Sequence, residues 1–262
     1  MLSNSVVILI REVLEAALLC AAILAMCRQF SLSIRAVWVA LVLGLAAAIG
    51  YAKNLATIAG WFDGVGQEVG DAASQFALVL LLPLIVMRFI RRYYRHHRSG
   101  DTLVLTLLVG AALVLAVMRE GAEIYLYVAS FQWQPEKRQA LAIGALIGSG
   151  IGFSIGALVY YLLRLLPKPR GILVAGVVLN LVAGGMAVQG CKMLIQADWL
   201  PDGEVWNSSW LVPEDSVTGQ LLYALMGYEA TPAPVQVFAY VIVLGVIVLS
   251  QGAIVMSYRN KT

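Results

Sequence analysis

The stretch LIREVLEAAL, residues 9–18, decides how the chain is read, because it sets Arg11, Glu12 and Glu15 inside an apolar run otherwise fit to cross a lipid bilayer. A second copy of the same charge order, MREGAEIYL at 118–126, lies in another apolar run. In each copy the arginine and the second glutamate are i and i+4, and the two glutamates are i and i+3, so all three project from one face of a helix. That face points into a bundle or the helix does not insert. Insertion scales put a central charge at roughly 2.5–3.5 kcal/mol, so the two motifs together represent a gross cost on the order of 15–20 kcal/mol before pairing.

The surrounding composition supports a membrane setting. Of the 262 residues, 61% are hydrophobic and only 13% charged, and the mean hydropathy of +0.84 lies outside the range of soluble domains. Seven segments, about 2–27, 36–53, 72–90, 102–129, 139–164, 171–195 and 236–257, are long enough to span as helices. Each is far longer than a barrel strand and none alternates with period two, so the expected class is an all-α integral membrane protein. The first segment is read as mature structure, since Met1–Ser5 supplies no basic leader and a cleavable core would not carry three charges. Cys20, Cys27 and Cys191 have no metal-binding or redox spacing and read as small apolar packing residues.

Loop charges set the expected orientation. With the N-terminus outside, the cytoplasmic side receives Arg28, Arg35, Arg88, Arg91, Arg92, Arg95, Arg98, Arg164, Lys168, Arg170, Arg259 and Lys261, twelve of the eighteen basic residues. The outer side receives Lys53, Lys137, Arg138 and Lys192 together with most of the acids, among them Asp63, Glu68, Asp71, Asp198, Asp202, Glu204, Glu214 and Asp215. Such an acidic face follows from orientation bias alone or makes a mouth that concentrates cations. The basic loop with His96 and His97 reads as an anchor facing anionic lipid, not a metal site. The long loop with Trp199, Trp206 and Trp210 is expected along the outer interface.

Arg11 and Arg119 are 119 − 11 = 108 residues apart, and three spans begin with each motif. An odd number of spans reverses direction, which predicts a 3+3 inverted repeat with a seventh helix appended. The expected division of this single transmembrane domain is 1–98, 99–197, an outer loop at 198–235, then the last helix and tail at 236–262.

One carboxylate per arginine would suffice for ion pairs that merely lock helices together. The motifs supply Glu12, Glu15, Glu120 and Glu123 against Arg11 and Arg119, a net of −2 if all ionise, and that excess needs protons or a cation. Four carboxylates without thiolate or imidazole suit a hard, oxygen-preferring cation, and charge counting leaves divalent and trivalent ions both open. Glu68 and Asp71, at i and i+3 in GQEVGD (66–71), read either as acids favoured at a helix N-terminus or as an outer receiving position for the ion. Gly144, Gly148, Gly152 and Gly156 form a small-residue ridge for close packing. Asn180 and Gln189 are buried amides that line a path or bond between helices.

REVLEAAL (11–18) and REGAEIYLYV (119–128) resemble the paired Arg-Glu-Gly-Leu-Glu motifs of the oxidase-dependent ferric iron permeases of fungi and bacteria. The resemblance extends to seven spans, an outer N-terminus and the stretch GQLLYALMGYEATPAPVQVFAY (219–240). It implies Fe3+ as transported substrate bound by Glu12, Glu15, Glu120 and Glu123, Arg11 and Arg119 in support, no cofactor, and a bacterial inner (plasma) membrane location with the C-terminus in the cytoplasm. It also implies a periplasmic or extracellular partner, whether cupredoxin-like, peroxidase-like, iron-binding or a multicopper ferroxidase. The lipid bilayer is the other expected partner, and nucleic acid is not one. Val13 stands where the motif usually has glycine, and so is expected to crowd a close helix approach.

The rival reading is a proton-coupled transporter of another cation or small solute. A retinal protein is disfavoured because the last span has no lysine, and an intramembrane protease because the spans hold no HExxH and no aspartate pair. No enzymatic activity is expected.

Overall fold

In each apolar segment the backbone hydrogen bonds have to be met within the segment itself, and helices result. A computed structural model describes residues 2–94, 101–131 and 135–259. Among them there is no strand, and the helices are α1 (Leu2–Gln29), α2 (Ile34–Lys53), α3 (Leu55–Ala59), α4 (Gly66–Tyr94), α5 (Asp101–Ser130), α6 (Pro135–Leu165), α7 (Lys168–Gln196), α8 (Val217–Met226) and α9 (Pro234–Arg259). Stretches within α2, α4, α5, α6, α7 and α9 are long and apolar enough to cross a membrane. Helix α1 has the length, 28 residues, but carries the first charged motif. His96, His97, Arg95 and Arg98 fall outside the described residues, as do Lys261 and the side chains of Lys137 and Arg138.

The packing is ordered by pairs. Helix α1 lies chiefly on α6, α2 on α5, and α4 on α7. Small residues permit these approaches. A Cβ on Gly152 of α6 would stand 2.8 Å from Val13 Cγ1, one on Gly156 would stand 2.7 Å from Ala17 Cβ, and one on Gly148 would meet the α1 backbone at Val6. The ridge in α6 is therefore the seat of α1. On the other pair, a Cβ on Gly44 of α2 would lie 2.8 Å from Val117 Cβ of α5, and one on Gly121 of α5 would lie 2.9 Å from Ala48 Cβ. The crowding expected at Val13 is thus absorbed across the interface: Val13 is buried against Gly152, where the second motif has its own glycine, Gly121, against Ala48.

Among these six apolar helices α7 is the most buried and α9 the most exposed. Two polar contacts fix the run of α1: Ser5 Oγ lies 2.8 Å from Tyr127 Oη near the end of α5, and Gln29 donates to the Leu163 carbonyl near the end of α6. Helix α1 is therefore antiparallel to α5 and parallel to α6. Exposed faces carry Trp38, Leu146, Leu165 and Leu249, the apolar outside that lipid requires.

The loop after α7, expected along the outer interface, also returns to the bundle. Trp199, Trp206 and Trp210 are exposed, but α8 packs against α1 and α7. Ser216 caps it by accepting the Gly219 N–H at 3.0 Å. Gly227 ends it in the left-handed region at φ 68°, with its backbone so close to α7 that a Cβ on Gly185 would stand 2.6 Å from Gly227 N.

Candidate functional site

Helices α1 and α5 bring the two motifs together at the end of the bundle that holds the α1 N-terminus. Glu12, Glu15, Arg119 and Glu120 are buried, whereas the side chains of Arg11 and Glu123 remain 32% and 33% exposed. The site is thus enclosed on most sides and reached past Arg11 and Glu123.

Arg119 spans three carboxylates. Its Nη2 donates to Glu120 Oε1 at 2.5 Å and to Glu15 Oε2 at 2.8 Å, and its Nη1 donates to Glu123 Oε1 at 3.1 Å. Arg11 instead concentrates on Glu12 Oε1, through Nε at 2.8 Å and Nη2 at 2.5 Å, and stands 3.9 Å from Glu123 Oε2. Each arginine therefore pairs within its own motif and across to the second glutamate of the other. Charge-assisted bonds of this kind offset the desolvation of the glutamates, though against two guanidinium groups two of the four carboxylates remain in excess.

One oxygen from each of Glu12, Glu120 and Glu123 lies within 4.8 Å of the others. Carboxylates that close repel by about 3–4 kcal/mol per ionised pair at an effective dielectric constant of ~20, so a cation or protons would relieve them. All three offer hard oxygen donors. The fourth predicted ligand, Glu15, is turned to Arg119 and accepts from Gln189 Nε2 at 3.2 Å.

Glu68 and Asp71 sit half-buried in the first turns of α4. Tyr51 of α2 donates to Asp71 Oδ1 at 3.0 Å, and Asp71 is near enough to Glu123 and Arg119 for their charges to act on it. Asn180 and Gln251 exchange two hydrogen bonds between α7 and α9, at 2.8 and 3.0 Å, so Asn180 serves packing. Gln189 reaches the site.

Three participants carry no signal of their own in the sequence reading. Gln75 of α4 donates to Gln189 Oε1 at 3.3 Å; its spacing behind Glu68 and Asp71, at i+7 and i+4, is the pattern that marks it. Tyr223 of α8 lies under the Arg11 guanidinium, 5.4 Å from ring centroid to Cζ, a cation–π distance, and only the return of α8 to the bundle brings it there. Glu229, buried beyond α8, is paired with Lys192 at 2.8 Å and accepts from Gln236.

Past the site the polar column stops. Leu19 lies one turn beyond Glu15, Leu78 and Leu82 lie beyond Gln75, and Leu179 lies beyond Gln189 along their helices, all without solvent exposure and all in one apolar cluster.

No curated protein and no solved structure matches the chain. A model of the Iron permease FTR1 family matches residues 57–260, most of the length, taking in the second motif, Asp71, Gln75 and α8. The chain is accordingly a multi-pass helical membrane protein of a transporter rather than an enzyme class, and it belongs to the Iron permease FTR1 family.

Proposed function

We propose that the chain is a high-affinity permease that moves Fe3+ inward across a bacterial plasma membrane, with Glu12, Glu120 and Glu123 as first ligands. The observation that carries this reading is the meeting of three carboxylate oxygens from two different helices within 4.8 Å, in a family of iron permeases. Glu15 takes part from a deeper position. Arg11 and Arg119 hold the carboxylates together between ions. Asp71, held by Tyr51, and Glu68 receive the ion at the outer mouth.

In this reading α1 is a seventh crossing, its embedded charges all turned to protein partners. The halves form an inverted repeat: exchanging α1 with α5, α2 with α6 and α4 with α7 turns the α1–α6 contact into the α2–α5 contact and returns the α4–α7 contact to itself. Gly44 and Gly152 are also 152 − 44 = 108 residues apart, the motif spacing. The N-terminus is outside and the C-terminus cytoplasmic, as the basic loops require. Oxidation before passage falls to a periplasmic partner, cupredoxin-like, peroxidase-like or a multicopper ferroxidase.

Radiolabelled Fe3+ and Fe2+ uptake in transport-deficient cells, with and without a candidate oxidase, tests the proposal. Fe3+ uptake lost in Glu120→Gln supports it. Uptake of neither ion, together with no equilibrium metal binding to purified protein, would favour a proton-coupled carrier of another solute.

A further inference from the structure

Beneath the carboxylate trio runs a relay whose direction is fixed by its charged end. An ionised Glu15 can only accept, so Gln189 presents its NH2 to it, at 3.2 Å. That leaves the Gln189 carbonyl oxygen for Gln75, which in turn must present its own NH2, at 3.3 Å. The amide orientations follow from this network and admit no flip of one member alone. The relay ends in a Gln75 carbonyl oxygen without a donor, and at its other end Glu15 Oε1 also lacks one. Gln75, Gln189 and Glu15 are 1%, 2% and 2% exposed, and apolar side chains close the column just beyond them.

Buried acceptors without donors are uncommon and call for a missing partner. A neutral amide oxygen and a carboxylate oxygen, at the two ends of one network and polarised through it, are donors of the kind a hard cation takes. Their position is one helical turn beyond Glu12 on α1 and one turn beyond Asp71 on α4, on the far side of the trio from the open edge. We propose that Glu15 and Gln75, linked through Gln189, form a second, inner station that takes the cation from Glu12, Glu120 and Glu123 and holds it against the apolar seal. This rests on the permease reading for its cargo, though its test does not.

The station carries less charge than the trio, one carboxylate instead of three, so it binds more weakly and suits release. Terbium(III), a hard trivalent probe, is titrated into purified protein and followed by its luminescence. Glu120→Gln is expected to remove the tighter site and leave a weaker one, which Gln75→Leu added to it weakens about tenfold more, the usual lower effect of losing a supporting metal contact. In the otherwise unchanged chain Gln75→Leu weakens the second, weaker binding step about tenfold. Gln75→Glu, which keeps an oxygen donor and adds charge, strengthens the weaker site in an otherwise unchanged chain, so the test does not depend on Glu120→Gln inserting. Terbium binding indifferent to both Gln75 substitutions would overturn the station and leave the free oxygens to bound water. Wild-type cells that take up no iron would sink the proposed function while the terbium titration still judged the station.

Discussion

Arg11 and Arg119 occupy the same position in two copies of one motif, yet Arg119 is buried against three carboxylates, while Arg11 is a third exposed, holds Glu12 closely and rests on the Tyr223 ring. The difference arises outside the motifs. Helix α5 sits between α1, α2 and α4, which closes protein around Arg119. Helix α1 has α6 on one flank and only the short α8 over Arg11. A repeated motif therefore yields one arginine that holds the site together and one at its rim.

Replacing the two arginines is the harshest way to break this comparison. Arg119→Leu strands Glu15, Glu120 and Glu123, and breaking a buried pair costs about 3–5 kcal/mol. No folded protein is expected by fluorescence-detected size exclusion. Arg11→Leu should still give a folded, inserted chain with impaired iron uptake, because it strands one buried carboxylate, Glu12, where Arg119→Leu strands two, Glu15 and Glu120; equal yields of the two variants would erase the asymmetry.

Next come the carboxylates. Glu12→Gln and Glu120→Gln should each lower iron uptake by about 100-fold, against about tenfold for the rim residue Glu123→Gln, the span of effects typical of changes around a bound metal. A loss as deep in Glu123→Gln would show that the half-exposed glutamate is a full partner in binding.

The third test concerns the seating of each motif. Val13→Gly restores the usual motif residue but empties space opposite Gly152, and should destabilise by about 1.5–3 kcal/mol, the value of a buried valine side chain. Gly121→Val forces bulk against Ala48 and should cost about 1–3 kcal/mol. Thermal unfolding in detergent measures both, and a stabilised Val13→Gly protein would contradict the complementary seating.

Smallest is the outer pair. Tyr51→Phe removes the bond to Asp71, and should raise the apparent KM for iron about threefold with the maximal rate unchanged, since only capture of the ion is affected. A change in maximal rate alone would move Tyr51 and Asp71 out of the approach.

Much of this arrangement was legible from residues alone. The long helices begin and end within a few residues of the seven apolar segments, except that α4 begins at Gly66 and its segment at 72, and six of them are apolar enough to cross a membrane. The first turns of α4 are polar, and hydropathy registers only the part that meets hydrocarbon. The inward face of the motifs followed from the cost of charge in lipid, and the glycine ridge from its spacing. What stayed hidden depends on contacts remote in sequence. Gln75 bears no charge, and its spacing behind Glu68 and Asp71 gains a meaning once Gln189, 114 residues away in sequence, is opposite it. Tyr223 reaches Arg11 because Gly185 and Gly227 let α8 come down on α7, and no local pattern reports that. The separation of Glu15 from the trio is likewise a product of Arg119, which the motif spacing leaves free to choose among four partners.

The leucines beyond the relay have an electrical consequence. A dry layer of Leu19, Leu78, Leu82 and Leu179 is where a transmembrane voltage must fall if water reaches the polar column from outside. Each elementary charge that crosses it gains about 2.3 kcal/mol per 100 mV, hence about 7 kcal/mol for a triply charged ion. The same hydrocarbon plug that stops leakage of protons and sodium would hand the resting potential to the cargo as its driving force.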